Sequence, residues 1–325
     1  MKNMGNFISE EQRDVNKTPL LSLIVPVFNE EAAISLFLER VENVFREHKD
    51  VTLEIVFVND GSSDGTLANL LEKRRHDPRI VVVDLSRNFG KEAALSAGLQ
   101  TARGSVVVPL DVDLQDPPEL IPAMVAKWRE GYEVVVGRRT RRDADSWAKR
   151  ISARWFYRVH NIFADQKLPE NVGDFRLMDR SVVDALNALP ESCRFMKGLF
   201  AWVGFRTTCI DYARPARVAG ESKFNAWRLW NFALDGITSF STVPLRIWTY
   251  MGFVLAFTAF VFAVLIFLRV LISGVDVPGY ASLMVVIIFF GGLQLIGIGI
   301  LGEYLGRNYI ESKRRPVFLI RKIYK

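Results

Sequence analysis

Short apolar runs alternate with stretches of helical periodicity from Leu20 to Val136, and each apolar run breaks into a polar cluster. Leu20–Val27 gives way through Pro26 to Phe28-Asn29-Glu30-Glu31, and Leu53–Val58 to Asn59-Asp60-Gly61-Ser62-Ser63-Asp64-Gly65-Thr66. Ile80–Leu85 leads into Ser86-Arg87-Asn88-Phe89-Gly90-Lys91, Val106–Leu110 into Asp111-Val112-Asp113, and Glu133–Val136 into Gly137-Arg138-Arg139. Runs this short and this continuous predict strands buried on both faces. Between the first two, Ile34, Phe37, Leu38, Val41 and Phe45 recur at helical spacing. Asn29 is placed to cap that helix, and Glu30 and Glu31 suit the positive end of its dipole. Ser63 or Asp64 is placed to cap a second helix reaching Arg75, and Ala93, Ala94, Ala97 and Leu99 give a third a small face for close packing on a sheet. Strands alternating with helices predict an α/β fold with a parallel sheet and right-handed crossovers. Such sheets bind ligands beyond the carboxyl ends of their strands, so the polar clusters are expected to meet in one crevice.

Further on, the pattern changes. Gly173-Asp174-Phe175-Arg176-Leu177-Met178-Asp179-Arg180 precedes a helix through Leu189, Leu199–Phe205 is an apolar element, and Ile210–Arg217 reads as a strand before Gly220-Glu221-Ser222-Lys223. Residues 225–243 place Trp227, Trp230, Phe232, Ile237 and Phe240 among polar positions, as an interfacial helix or a helix closing the domain would. Ile247–Leu268 and Tyr280–Gly302 then run without a charge, each long enough to cross a hydrocarbon core of about 30 Å. Their link carries Arg269 alone, whereas the tail carries Arg307, Lys313, Arg314, Arg315, Arg321, Lys322 and Lys325, which places both ends of the pair in the cytoplasm. Gly291, Gly292, Gly297, Gly299 and Gly302 suit close helix packing, including between subunits. The expected organisation is a flexible start at 1–18, a cytoplasmic α/β domain at 19–224, a juxtamembrane helix at 225–245, two membrane helices within 246–303 (about 247–268 and 280–302), and a basic cytoplasmic tail at 304–325.

Composition sharpens this picture. Of 325 residues 50% are hydrophobic, and the excess sits after Pro244, which points to membrane rather than to a larger core. Residues 1–18 lack the apolar segment of a signal peptide. Cys193 and Cys209 are too few for a disulfide framework and lack metal-site spacing, which fits a reducing compartment. The net charge of +6 is concentrated in the tail and in Arg138–Arg158. There Arg139, Arg141, Arg142, Lys149, Arg150, Arg154 and Arg158 are interleaved with Trp147, Trp155, Phe156 and Tyr157. Nucleic acid is one reading of such a cluster. Its shortness and its place beside a membrane region favour lipid phosphate instead, so no nucleic-acid partner is expected. Asp111 and Asp113, followed by Gln115 and Asp116, form a cluster of hard oxygen donors suited to Mg²⁺ or Mn²⁺ shared with substrate phosphates; the plain alternative is an acidic turn capping the next helix. Glycine-rich phosphate loops are absent from the strand–helix turns, which excludes dehydrogenases and P-loop kinases.

Taken together, Pro26–Glu30, Val58–Thr66, Asn88–Lys91 and Asp111–Pro118 resemble family 2 glycosyltransferases of the GT-A fold. Gly173–Arg176, Arg194–Gly198, Gly220–Lys223 and the two apolar runs narrow the resemblance to the polyisoprenyl-phosphate glycosyltransferases. The bactoprenol glucosyltransferase group fits best, with dolichyl-phosphate mannose synthases as cousins, and the resemblance covers roughly residues 20–310. It implies a Rossmann-like, mostly parallel sheet followed by amphipathic and transmembrane helices. Pro26, Asn29, Glu30, Asp60 and Lys91, with Asp111, would hold the nucleotide sugar. Asp113 and Gln115, with Asp111 beside them, would hold Mg²⁺ or Mn²⁺. Arg138, Arg150 or Arg154, Arg217 and Lys223 would bind the acceptor phosphate. Asp174 would contact a sugar hydroxyl or act as a base; capping, or pairing with Arg176, is the structural alternative. The implied reaction is inverting transfer of one hexose, foremost glucose from UDP-glucose, to undecaprenyl phosphate at the bacterial inner membrane, for modification of envelope glycans such as lipopolysaccharide, by a homo-oligomer. Another sugar on the same lipid (mannose, an N-acetylhexosamine, an aminoarabinose derivative) and a non-catalytic scaffold or flippase are the alternatives. The Gln-x-x-Arg-Trp of processive polysaccharide synthases is absent.

Overall fold

The computed structural model describes residues 18–139, 172–191, 194, 196–212, 243–273 and 279–325. Four strands run parallel at its centre: β1 (Leu20–Val27), β2 (Thr52–Asn59), β3 (Ile80–Leu85) and β4 (Val106–Pro109), ending at or beside the predicted positions. β5 (Val134–Arg139) extends past its predicted end. Between β4 and β5 lies β6 (Val172–Asp179), antiparallel to both, so β4 has a parallel neighbour only on the β1 side. β7 (Thr207–Tyr212) pairs parallel with β5. At the far edge β8 (Ile320–Tyr324) pairs antiparallel with β3. The order across the eight strands is β7-β5-β6-β4-β1-β2-β3-β8.

Helices cover both faces, as strands apolar on both sides require. Leu21, Leu23 and Val25 turn toward α1 (Ala33–Phe45), α2 (Thr66–His76) and α4 (Ile121–Arg129), packing with Phe37, Leu70 and Met124. Ile24, Val56 and Val58 turn toward α3 (Lys91–Thr101), α5 (Arg180–Ala188) and α6 (Met196–Trp202), packing with Leu95, Val183 and Leu199.

One local expectation is corrected and one open alternative is resolved. α1 starts after Ala32 without a side-chain cap, so Asn29 does not cap it and Glu30 and Glu31 precede its first turn. Asn29 instead adopts φ of 56° and accepts from the Ser63 N–H at 2.9 Å, a cross-loop bond that outcompetes the local one. At α2 it is Asp64, not Ser63, that accepts from the first N–H, that of Thr66, at 3.0 Å.

Beyond the sheet, α7 (Val243–Ser273) and α8 (Tyr280–Ser312) are roughly 45–50 Å long. Among the described residues one stretch, Phe289–Ser312, is long and apolar enough to cross a membrane, and only 6% of its most apolar window is buried. Ile247–Phe262 is a shorter apolar stretch. The helices touch where Gly297 leaves room for the Trp248 indole, since a Cβ there would lie 2.1 Å from its Nε1. The tail is not simply a basic extension: α8 runs to Ser312 and the chain then returns to the sheet as β8.

α3 sits close enough to β1 that a Cβ on Gly98 would fall 2.2 Å from Ile24 Cγ2. Gly98→Val is therefore expected to destabilise the α/β domain by about 1–3 kcal/mol. Thermal unfolding of the detergent-solubilised chain would measure this, and Ile24→Ala in the same chain should cost less than its effect alone because both changes act on one contact.

Candidate active site

The loops after β1, β2, β3 and β4 close on one crevice of about 310 Å³, lined by Pro26, Val27, Phe28, Glu30, Asp60, Asn88, Gly90, Lys91, Ala94, Asp111, Val112 and Asp113. Backbone-to-side-chain bonds hold these loops together. The Asn29 N–H donates to Ser62 Oγ at 3.0 Å, and the Glu30 N–H to Thr66 Oγ1 at 3.0 Å. Asp60 accepts from the Phe89 N–H at 2.7 Å and the Gly90 N–H at 2.9 Å, tying the loop after β2 to the loop after β3. The same loops approach so closely at Gly61 (φ 67°) that a Cβ would lie 2.5 Å from the Arg87 and Asn88 backbone, which only glycine permits. Burial pushes the Asp60 carboxyl above its usual range, outweighing the lowering by those two N–H donors.

Lys91, the first residue of α3, reaches Asp111 Oδ1 at 2.7 Å and Asp174 Oδ2 at 3.3 Å, joining α3, the β4 end and β6. Burial alone would lower the ammonium; the two carboxylates outweigh it and hold it above the usual lysine range. Asp174 thus faces Lys91. Its neighbour Arg176 is wholly buried, donates from Nη2 to the Gly173 carbonyl at 2.9 Å, and lies 3.8 Å over the Phe200 ring. Burial pushes its guanidinium down to about 10, against the opposing charge of Asp174.

In the acidic loop after β4, the roles diverge. Asp111 is turned to Lys91. Asp113 Oδ1 accepts from the Gln115 N–H at 3.1 Å. Gln115 is 4% exposed, and its Oε1 is buried with no hydrogen-bond partner among the described residues. A buried amide oxygen without a donor, two residues from a carboxylate that has no cationic partner among the described residues, fits a divalent ion that takes its remaining ligands from a diphosphate. Asp116, expected with the hard donors, is instead 3% exposed and accepts from the Tyr212 hydroxyl, with Arg139 Nη2 at 3.4 Å. Gly173 makes room for that guanidinium, since a Cβ there would lie 2.8 Å from Arg139 Nη2. Arg138 points the other way and forks onto Asp211 of β7 at 2.6 and 2.9 Å.

Pro26, Asn29, Glu30, Asp60, Lys91, Asp111, Asp113, Gln115 and Asp174 are thereby gathered at one sheet edge, with Arg138 further along it. Arg150, Arg154, Arg217 and Lys223 lie outside the described residues, as does the helix expected at 225–243. Sequence reading missed Tyr212 and Arg139 as partners of Asp116, and Asn59, whose Nδ2 donates to the buried Asp84 at 2.8 Å. Nothing local signals a bond between positions 96 apart. Tyr212→Phe would leave Asp116 buried with Arg139 alone. The expected cost is about 1–3 kcal/mol in thermal unfolding, with a larger loss for Asp116→Ala, which strands Arg139 as well.

The family model for glycosyl transferase family 2 matches residues 22–186. The chain is 51% identical over 305 residues to the prophage bactoprenol glucosyl transferase homolog of Escherichia coli (strain K12), covering 94% of this chain and 99% of that one. It is 52% identical over 301 residues to the bactoprenol glucosyl transferase of Shigella phage SfV, covering 93% of this chain and 98% of that protein. Among solved structures it is similar to the mannosyltransferase PcManGT from Pyrobaculum calidifontis in complex with GDP-Man and Mn²⁺, at 21% identity and a TM-score of 0.45 over 66% of this chain and 61% of that chain. The α/β sheet is that of the GT-A fold, and the chain belongs to glycosyl transferase family 2.

Proposed function

We propose that this chain transfers one glucose from UDP-glucose to the phosphate of undecaprenyl phosphate, with inversion, at the cytoplasmic face of a bacterial inner membrane. The observation that carries the reading is the Asp113–Gln115 pair at the crevice: among the described residues Asp113 has no cationic partner, and the Gln115 amide oxygen is buried without a donor. Relatives named for bactoprenol glucosyl transfer, matched over nearly the whole chain, supply the sugar and the lipid.

In this reading Pro26, Asn29, Glu30 and Asp60 hold base and ribose, and Lys91 places positive charge toward the diphosphate. Asp113 and Gln115 hold Mg²⁺ or Mn²⁺, whose chemistry when bound is to neutralise charge on the departing diphosphate. Arg138 with Arg150 or Arg154, Arg217 and Lys223 grip the acceptor phosphate, to which the arginine fork is matched. Arg138 exchanges the exposed Asp211 carboxylate for that phosphate, a trade that costs little because exposed ion pairs are weak. The acceptor is a phosphate monoester, largely dianionic at pH 7 because its second pKa is near 6. One of its oxygens bonds to the anomeric carbon as the bond to the nucleoside diphosphate breaks, and the electron pair leaves on the diphosphate. No proton is exchanged, so no strong base is needed, and Asp174 serves as an orienting partner of Lys91 and of a sugar hydroxyl.

Both α7 and α8 cross the membrane, with the catalytic domain and both termini inside. Gly291, Gly292, Gly299 and Gly302, where an added Cβ would meet nothing within 4 Å, form the contact between copies of a homo-oligomer. The product serves envelope glycans, including lipopolysaccharide.

Two measurements test the site. Purified protein with Mg²⁺ or Mn²⁺ is given undecaprenyl phosphate and labelled UDP- and GDP-sugars. Labelled lipid is expected from UDP-glucose and reduced about 100-fold or more in Asp113→Ala. Product from another sugar alone would reassign the donor, and none from any donor would refute the reading. The second measurement is uridine binding without metal as a function of pH. Because the Asp60 carboxyl is raised, it protonates on acidification above the ordinary aspartate midpoint of about 3.9 and loses acceptor capacity toward Phe89 and Gly90. Affinity is expected to fall there without loss of stability from this group, since a raised carboxyl favours the protonated fold. Asp60→Asn should bind weakly at every pH.

A further inference from the structure

We propose that the C-terminal strand β8 is part of the donor-site machinery, and that Arg321 on it is a positioning residue for the loops that line the crevice. The proposal rests on the donor reading above for what the crevice binds, and on β8 itself for how the crevice is held. β8 is more than a cover for the edge of β3. Its approach pins the first residue of the loop after β3 on both backbone groups: the Ser86 N–H donates to the Leu319 carbonyl at 2.9 Å, and the Ser86 carbonyl accepts from Arg321 Nη2 at 2.8 Å. The far end of that loop is pinned by Asp60 through Phe89 and Gly90. Between these ends Asn88 lines the crevice, and Gly90 and Lys91 line it at and just past the far end.

A second connection runs through side chains. Arg321 Nη1 lies 3.4 Å from Asp84 Oδ2, and Asp84 Oδ1 accepts from Asn59 Nδ2 at 2.8 Å. Asn59 Oδ1 accepts from the Ser62 N–H at 3.3 Å, and Ser62 Oγ accepts from the Asn29 N–H at 3.0 Å. The series ends in the loops after β2 and β1, both of which form the crevice. An exposed ion pair would contribute little, but here only the arginine is exposed, at 61%, whereas Asp84 is 2% exposed. Removing Arg321 leaves a buried carboxylate with Asn59 as its remaining named partner, and the carboxylate can regain hydration only by moving β3 or Asn59. Either movement is transmitted to the loops.

The test compares wild type with Arg321→Ala and Arg321→Lys in the full-length detergent-solubilised chain. Hydrogen exchange of the Ser86–Lys91 amides is read first, because it needs no ligand. Protection in this loop is expected to fall about tenfold in Arg321→Ala, the amount that loss of a charged hydrogen bond gives, and to recover in part in Arg321→Lys. Transfer kinetics are read second: the donor KM should rise about tenfold while kcat and the acceptor KM stay within about twofold, since the loops hold donor only. Asp84→Asn added to Arg321→Ala should recover part of both readouts, because it removes the unpaired buried carboxylate while the Ser86 carbonyl stays unpinned. Unchanged exchange in the loop overturns the proposal whatever the chain's activity. So does a fall in kcat with both KM values raised and a lowered unfolding temperature, which would make β8 an edge cover only. Loosened exchange in Arg321→Ala, together with a wild type that binds no uridine nucleotide, would uphold the positioning role and refute the donor reading instead.

Discussion

The structure is organised around a crowding of like charge. The ends of parallel β2, β3 and β4 bring Asp60, Asp84, Asp111, Asp113 and Asp116 to one edge of the sheet, and the start of antiparallel β6 adds Asp174. Two such charges about 4 Å apart repel by about 4 kcal/mol near a protein surface, so each needs its own compensation. Asp60 has the Phe89 and Gly90 amides, Asp84 has Asn59 and Arg321, Asp111 and Asp174 share Lys91, and Asp116 has Tyr212 and Arg139. Among the described residues Asp113 is paired with no cation and accepts only the Gln115 N–H. Among the described residues these partners set the other five aspartates apart from Asp113, whose sequence neighbour Gln115 keeps a buried amide oxygen without a hydrogen-bond partner.

How far this could be read from the chain depends on the distance over which each feature is decided. β1 to β4 were legible because burial on both faces forces continuous apolar runs, and the polar clusters at their ends could be placed in one crevice by topology alone. β6 was not, because Asp174 and Arg176 interrupt its apolar pattern, and Asp174 is the side chain that faces Lys91. β8 carries Arg321 and Lys322 in a largely exposed strand and reads as a basic tail, and its tie to Asp84 spans 237 positions. Asn29 followed the local capping rule in sequence and departed from it in structure because Ser63, on another loop, offered a donor. The closeness of Asp113 and Gln115 was within reach because it depends on neighbours in sequence. The Asp116 assignment was not, because its phenol and guanidinium come from β7 and β5.

The return of the chain from α8 to the sheet adds a geometric limit that bears on how a membrane-borne acceptor meets the crevice. Between Ser312 and Ile320 only Lys313–Leu319 intervenes, a link that extended reaches about 25 Å. The β3 edge, whose loop lines the crevice, can therefore stand no further than that from the end of α8. For an acceptor whose phosphate sits at headgroup level and whose tail stays in the bilayer, such a tether keeps the crevice within reach of the surface without requiring the lipid to leave it. The other connection to the long helices, from β7 to α7, is much longer in sequence. The short link, rather than the long one, limits how far the crevice edge lies from α8, and it does so through the same strand that holds the loop after β3.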